Sequence, residues 1–453
     1  MEPNRWRMDH LLLLLLSASI SLLWGGVVYA NGGQIDFKAV YYGARCLIEH
    51  HDPYNPKQLL SVYQNEDGEF PSDPARDRVY RSGLLVCINL PTTLLMAAPV
   101  ALLGFGPARM LWMALIAGLF TIATLMMWRQ GRSYAPRLSL LLAAMIAANT
   151  ELLYILGNTA GIIVGLCVIA AWCLLNERHA RLGTLCLALA LAMKPHDAWL
   201  VWLCFVLMGG MQRRRALQAL AIVAALTIPA VLWVSHVAPQ WTSELHANVL
   251  AGAAPGGVNA PGPAAGGGRD ADMVIDLQSA IYVFSHRPIV ANTISYLVCG
   301  ALVLVLILRA LGARASRPDP WLGLAAAVAP TVLVTYHRCY DAKLLLLAIP
   351  ACAMLWSRGG ATKWLAVALT AAGALFTADV PLNVFLILTK NLPMGLSGIW
   401  GKTLAVVLLE PTPLVLLAMG VFYSWVYWKG GAACRASTGP ERLIEAPLAV
   451  DGR

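Results

Sequence analysis

Charge is what this sequence lacks. Asp, Glu, Lys and Arg make up 13% of its 453 residues, about half the roughly 25% of a soluble domain. With 58% hydrophobic residues and a mean hydropathy of +0.65, that shortage excludes a soluble enzyme, a nucleic-acid reader and a disordered scaffold. The chain has no HExxH, no carboxylate pair at metal spacing and no CxxC among its ten cysteines. Its glycine clusters at 251–268 lack the strand–turn–helix setting of a phosphate loop. No metal, no cofactor and no nucleic acid is therefore expected. No internal repeat and no inverted pair of matching halves is evident, which weighs against a transporter or lipid flippase, the main alternative for a polytopic chain.

What the chain does have is long apolar runs, and positive charge decides how they thread at about 20 residues per crossing. The solution that best gathers Lys and Arg on one side has spans near 9–30, 108–128, 138–156, 160–176, 183–193, 198–210, 216–236, 291–311, 320–336, 342–356, 364–378 and 403–428. Arg129, Arg132 and Arg137, Arg178 and Arg181, Arg213 to Arg215, Arg309, Arg314 and Arg317, and Arg358 with Lys363 then lie in cytoplasmic turns. The spacing thus predicts an all-α, polytopic inner-membrane protein of about 12 transmembrane helices. The membrane domain covers 1–428, a disordered cytoplasmic tail 429–453, and both termini are inside. Excess positive charge in such turns accounts for the net charge of +9 without a polyanion. The N-terminal apolar stretch is too long and bulky for a secretory signal and reads as the first span.

Outer loops are expected at about 31–107, 237–290 and 379–402. Within the first, INLPTTLLMAAPVALLGFG is apolar, yet the parity of the topology forbids it to span; it reads as an interfacial helix. Cys46 and Cys87 fall in the same loop and could pair in an oxidising compartment. The other cysteines in apolar runs read as small buried hydrophobes.

Three polar clusters break the apolar pattern. Lys194 and Asp197, in KPHDAW, sit between two spans too short to cross the bilayer as ideal helices, which suggests charged backbone lining a hollow. One tilted helix kinked at Pro195, with Lys194 snorkelling, is the alternative. Asp36 follows the first span, where a carboxylate can serve as general base or simply be solvated. YHRCYDAK at 336–343 presents His337 and Arg338, donors suited to phosphate oxygens, unless Asp341 pairs with Arg338 or Lys343 in a plain loop.

In order along the chain come Asp36-Phe37 with Tyr41, Tyr42 and Ala44, then Asp52-Pro53-Tyr54, LPTTLLMAAPVALL, LYILGNTAGIIVGL, LALAMKP and TYHRCYDAKLLLL. This succession resembles glycosyltransferase family 87, membrane enzymes of the GT-C fold that use polyprenyl-phosphate sugars and include bacterial α-mannosyltransferases. The resemblance covers about 10–345. Where that family usually reads Gly-Gln, this chain has Gly157-Asn158, and where it often reads Pro-Pro, Leu90-Pro91-Thr92. The resemblance implies an inverting transfer, with mannose the expected sugar, from a polyprenyl-phosphate sugar to a lipid or glycan hydroxyl on the extracytoplasmic side, among membrane lipids. It makes Asp36 the catalytic base and sets Lys194, His337 and Arg338 at the donor phosphate. It places Tyr41, Tyr42, Arg45, Asp52, Tyr54 and Asn158 at the substrate.

Overall fold

A computed structural model describes residues 33–66, 68–72, 74–254, 259, 274–312, 319–378, 398–409 and 411–437. The expected first span at 9–30, Arg314 and Arg317, most of the glycine-rich stretch, most of the third outer loop and the end of the tail lie outside them. The described residues are helical, with no named strand and one isolated bridge, Val274 to Arg338.

The first outer loop is itself built of helices: α1 (Ile35–Ile48), α2 (Pro56–Asn65), α3 (Pro74–Leu84) and α4 (Pro91–Ala101). Local sequence accounts for their starts. Asn55 caps α2 by accepting from the Lys57 amide, and α2 and α4 carry proline in the first turn, where its missing N–H is no loss. The membrane part follows as α5 (Phe105–Gly131), α6 (Pro136–Ala147), α7 (Glu151–Leu156), α8 (Ala160–Leu175), α9 (Ala180–Met193), α10 (Pro195–Met208) and α11 (Gly210–Val237). Then come α12 (Trp241–Ala253), α13 (Leu277–Ser285), α14 (Pro288–Gly312), α15 (Pro320–Leu333), α16 (Ile349–Arg358), α17 (Thr362–Phe376), α18 (Gly398–Leu409) and α19 (Pro411–Ser437). A 3-10 segment, Asp341–Ala348, leads directly into α16.

Four helical segments are long and apolar enough to cross a membrane: Phe105–Gly131, Pro136–Leu156, Gly210–Val237 and Pro288–Gly312. A fifth arises if the bent pair Gly398–Leu408 and Pro411–Gly430 counts as one span, so the single helix expected over 403–428 is broken. The helices differ in what they face. In α8 every residue but Trp172 and Leu175 is buried, as an all-round apolar helix demands. In α11 only Ala216, Ala219, Ala230 and Val234 are buried, and α14 exposes Ile289, Leu297 and Leu311. Those apolar surfaces are what a lipid-facing helix presents.

The chain reverses at two kinds of junction. At one, Leu174, Glu177, Ala180, Met211, Gln212 and Arg215 line a common cleft of about 160 Å³, so the turns after α8 and before α11 meet. At the other lies the break between α9 and α10, at Lys194 itself, with Pro195 opening the second helix. The pair is two helices, as the short spans suggested. Such a break leaves the last carbonyls of α9 without helical partners. Thr92 and Thr93 of α4 donate to the Ala192 and Met193 carbonyl oxygens, the second at 2.6 Å. The apolar helix of the first outer loop is thereby packed into the protein, with Pro91 to Leu94 buried, beside the break.

Candidate active site

Asp36 lies in the first turn of α1. The turn between α7 and α8 is brought against it by Gly157, whose φ of +64° and whose approach to Phe37, 2.7 Å from where a Cβ would sit, admit no side chain. The Gly157 carbonyl accepts from the Trp112 indole at 2.9 Å. Asn158 follows: its Oδ1 accepts from the Ala160 amide at 2.8 Å, which fixes the amide's orientation, and its Nδ2 donates to Asp36 Oδ2 at 2.7 Å. Asn158 is therefore a positioning residue for the carboxylate.

Lys194 is 15% exposed and bridges two buried acids: its Nζ is 3.0 Å from Asp197 Oδ2 and in hydrogen-bonding contact with Asp341 Oδ1. Asp341 Oδ2 accepts from the Arg338 amide at 2.8 Å, so the pairing of Asp341 is with Lys194 and a backbone group. Lys343 instead donates to the Thr377 carbonyl at 2.7 Å. The Arg338 guanidinium donates to the Tyr336 hydroxyl and stands 5.9 Å from that ring. His337 is fully buried; its Nδ1 meets the Thr335 carbonyl at 2.7 Å and its Nε2 faces Asp197 Oδ1 at 2.9 Å. The His337 backbone carbonyl accepts from the Ile275 amide, and the next residue, Asp276, caps α13 through the Ser279 amide.

The acid and the cations share neighbours. The Asp36 charge acts on the phenols of both Tyr336 and Tyr340. Arg338 borders the first ring, and the Lys194 ammonium stands 5.9 Å from the centre of the second. Segments from four distant parts of the chain, 36, 158, 194–197 and 336–341, thus converge.

Residues 88–262 match the model of glycosyltransferase family 87. The family 87 match indicates a membrane glycosyltransferase, which needs a sugar donor and an acceptor. It includes Asn158, Lys194, His196 and Asp197, while Asp36 and 336–341 lie outside it and reach the site through the fold. No curated protein matches the chain.

Other expected site residues are placed elsewhere. Tyr41 and Tyr42 are buried in an aromatic cluster with Phe37, Tyr63 and Phe105, and the Tyr41 hydroxyl donates to the Leu103 carbonyl at 2.9 Å. Arg45 clamps Glu49 and Glu66 and donates to the Ala101 carbonyl. Asp52 accepts from the Tyr54 amide, and the Tyr54 hydroxyl donates to the Asn89 carbonyl at 2.8 Å. These five residues hold the first outer loop together, and Asp52 and Tyr54 also meet Glu244 and Asn248 of α12. His337 is fully buried behind Asp197, with Nδ1 at the Thr335 carbonyl and Nε2 facing the carboxylate. Cys46 and Cys87 are buried free thiols, unpaired as a disulfide. Sequence reasoning missed Asp341 as a partner of Lys194, 147 residues away.

Proposed function

We propose that the chain transfers a sugar from a polyprenyl-phosphate donor to a hydroxyl of a lipid or glycan acceptor, with inversion, at the extracytoplasmic side of the inner membrane. Mannose is the sugar to which the resemblance points, and the proposed architecture is the GT-C fold with about 12 spans and cytoplasmic termini. What supports the reading is that Asn158 aims Asp36 while Lys194 and Arg338 stand beside Tyr340 and Tyr336, phenols within range of the Asp36 charge.

The roles follow from charge. Asp36, aimed by Asn158, takes the proton of the acceptor hydroxyl as that oxygen attacks the anomeric carbon. The bond from that carbon to the phosphate oxygen breaks, and the leaving polyprenyl phosphate gains negative charge. Lys194 and Arg338 stabilise it, the electrostatic contribution that dominates many such reactions. Asp197 and Asp341 hold Lys194 extended before the donor arrives, so little reorganisation is needed.

The test is direct. Purified protein in lipid vesicles, given radiolabelled polyprenyl-phosphate mannose and membrane acceptors, is expected to move label into a new glycosidic bond. Label that crosses the bilayer without a new bond would overturn the enzyme reading and favour the transporter.

A further inference from the structure

Three ligand-bearing side chains beside Lys194 have a proton count that does not close. The Thr335 carbonyl has no hydrogen to give, so the 2.7 Å contact puts a proton on His337 Nδ1. In the neutral ring, Nε2 is then an acceptor. It faces another acceptor, Asp197 Oδ1, at 2.9 Å. Both atoms are shut off from solvent, and among the described residues their only polar contacts are with each other and with His196. Two acceptors held this close need something positive between them.

The third group decides what. His196 Nε2 lies 3.6 Å from the same Asp197 oxygen, and the ligand atoms of all three residues fall within 4.8 Å of one another. An ion about 2.1 Å from each donor would separate ligands by roughly 3.0 Å at a 90° angle, roughly 3.4 Å at the tetrahedral angle and roughly 3.6 Å at 120°. A shared proton would bridge Nε2 and Oδ1 but leave His196 no part in the trio. His196 is also the open member, its side chain 40% exposed, so an ion has a way in.

We infer that His196, Asp197 and His337 form a site for a divalent cation of the zinc or manganese class, with open coordination positions for phosphate oxygens. Two imidazoles and one carboxylate suit zinc and leave room for exchangeable ligands. The phosphate role rests on the glycosyltransferase reading; the binding of the ion does not. Lys194 with Asp197 and Asp341 sums to one negative charge. A divalent ion turns that sum positive, the sign a phosphate ligand requires.

The experiment uses full-length protein in detergent, stripped with EDTA, titrated with zinc chloride and then manganese chloride, with metal content measured after desalting. Parent protein is expected to keep one equivalent and to gain thermal stability with it. His196→Ala, at the exposed member, should fold as the parent does without metal, bind at least about tenfold more weakly and lose the metal-dependent gain. Absence of uptake by the parent, or equal uptake by His196→Ala, would overturn the site. Sugar transfer by stripped protein that takes up no metal would sink this inference and leave the transferase standing. Metal uptake without transfer to any acceptor would do the reverse.

Discussion

Asp36 and Lys194 both act on Tyr340, and the bonds that position them differ. Asp36 accepts a hydrogen bond from the neutral Asn158 amide, which aims the carboxylate. Lys194 is gripped by two buried carboxylates, which fix its position and outweigh its charge. One arrangement suits a group that must take a proton. The other suits a cation that must be in place beforehand and gains its net effect only when neighbours such as Arg338 add to it. A buried ammonium needs compensating charge to exist there at all.

Asp36→Asn should remove the base and keep the shape. Turnover is expected to fall about 10²- to 10⁴-fold with thermal stability unchanged, in the labelled-transfer assay beside a melting curve. Lys194→Ala breaks the other side: Asp197 and Asp341 lose their shared cation, at a cost of about 3–5 kcal/mol, and melting temperature and turnover should drop together. That contrast, activity alone against activity with stability, is the sharpest form of the comparison. Asn158→Ala should leave KM near the parent value and lower kcat by about 10- to 100-fold, the loss of one hydrogen bond to a charged group. Gly157→Ala should destabilise by about 1–3 kcal/mol, because the left-handed backbone and Phe37 both reject a Cβ.

The smallest effect is expected away from both. Glu244 on α12 lies against Asp52 of the first outer loop, and that neighbour, with burial adding to it, lifts the Glu244 carboxyl from 4.5 to about 7. Between those values the folded protein keeps a proton that the unfolded chain has released, so stability should decline as pH rises through the window. Melting curves from pH 5 to pH 8 check this, and Glu244→Gln should flatten the dependence.

The sequence carried the features written in short range. Pro195 after a short apolar run marked the break at Lys194, and proline and asparagine marked the starts of α2 and α4, although the region had been read mainly as loop. Gly157-Asn158 was legible as a motif, but its work, aiming Asp36, depends on a contact 122 residues apart. Nothing local to Lys194 names Asp341 as its partner. The family resemblance places Tyr41, Tyr42 and Tyr54 at the substrate, and an aromatic residue in an outer loop has the same signature whether it packs or binds. Only burial and the carbonyls their hydroxyls meet separate the two.

The central claim is that Asp36 and the Lys194 cluster serve one site. A cryo-electron microscopy map of the protein in lipid nanodiscs with a polyprenyl phosphate tests it most directly. Phosphate density against Lys194 and Arg338, with Asp36 facing the same space, is the result this account predicts. Phosphate bound elsewhere, or packed side chains sealing Asp36 from the cations, would contradict it.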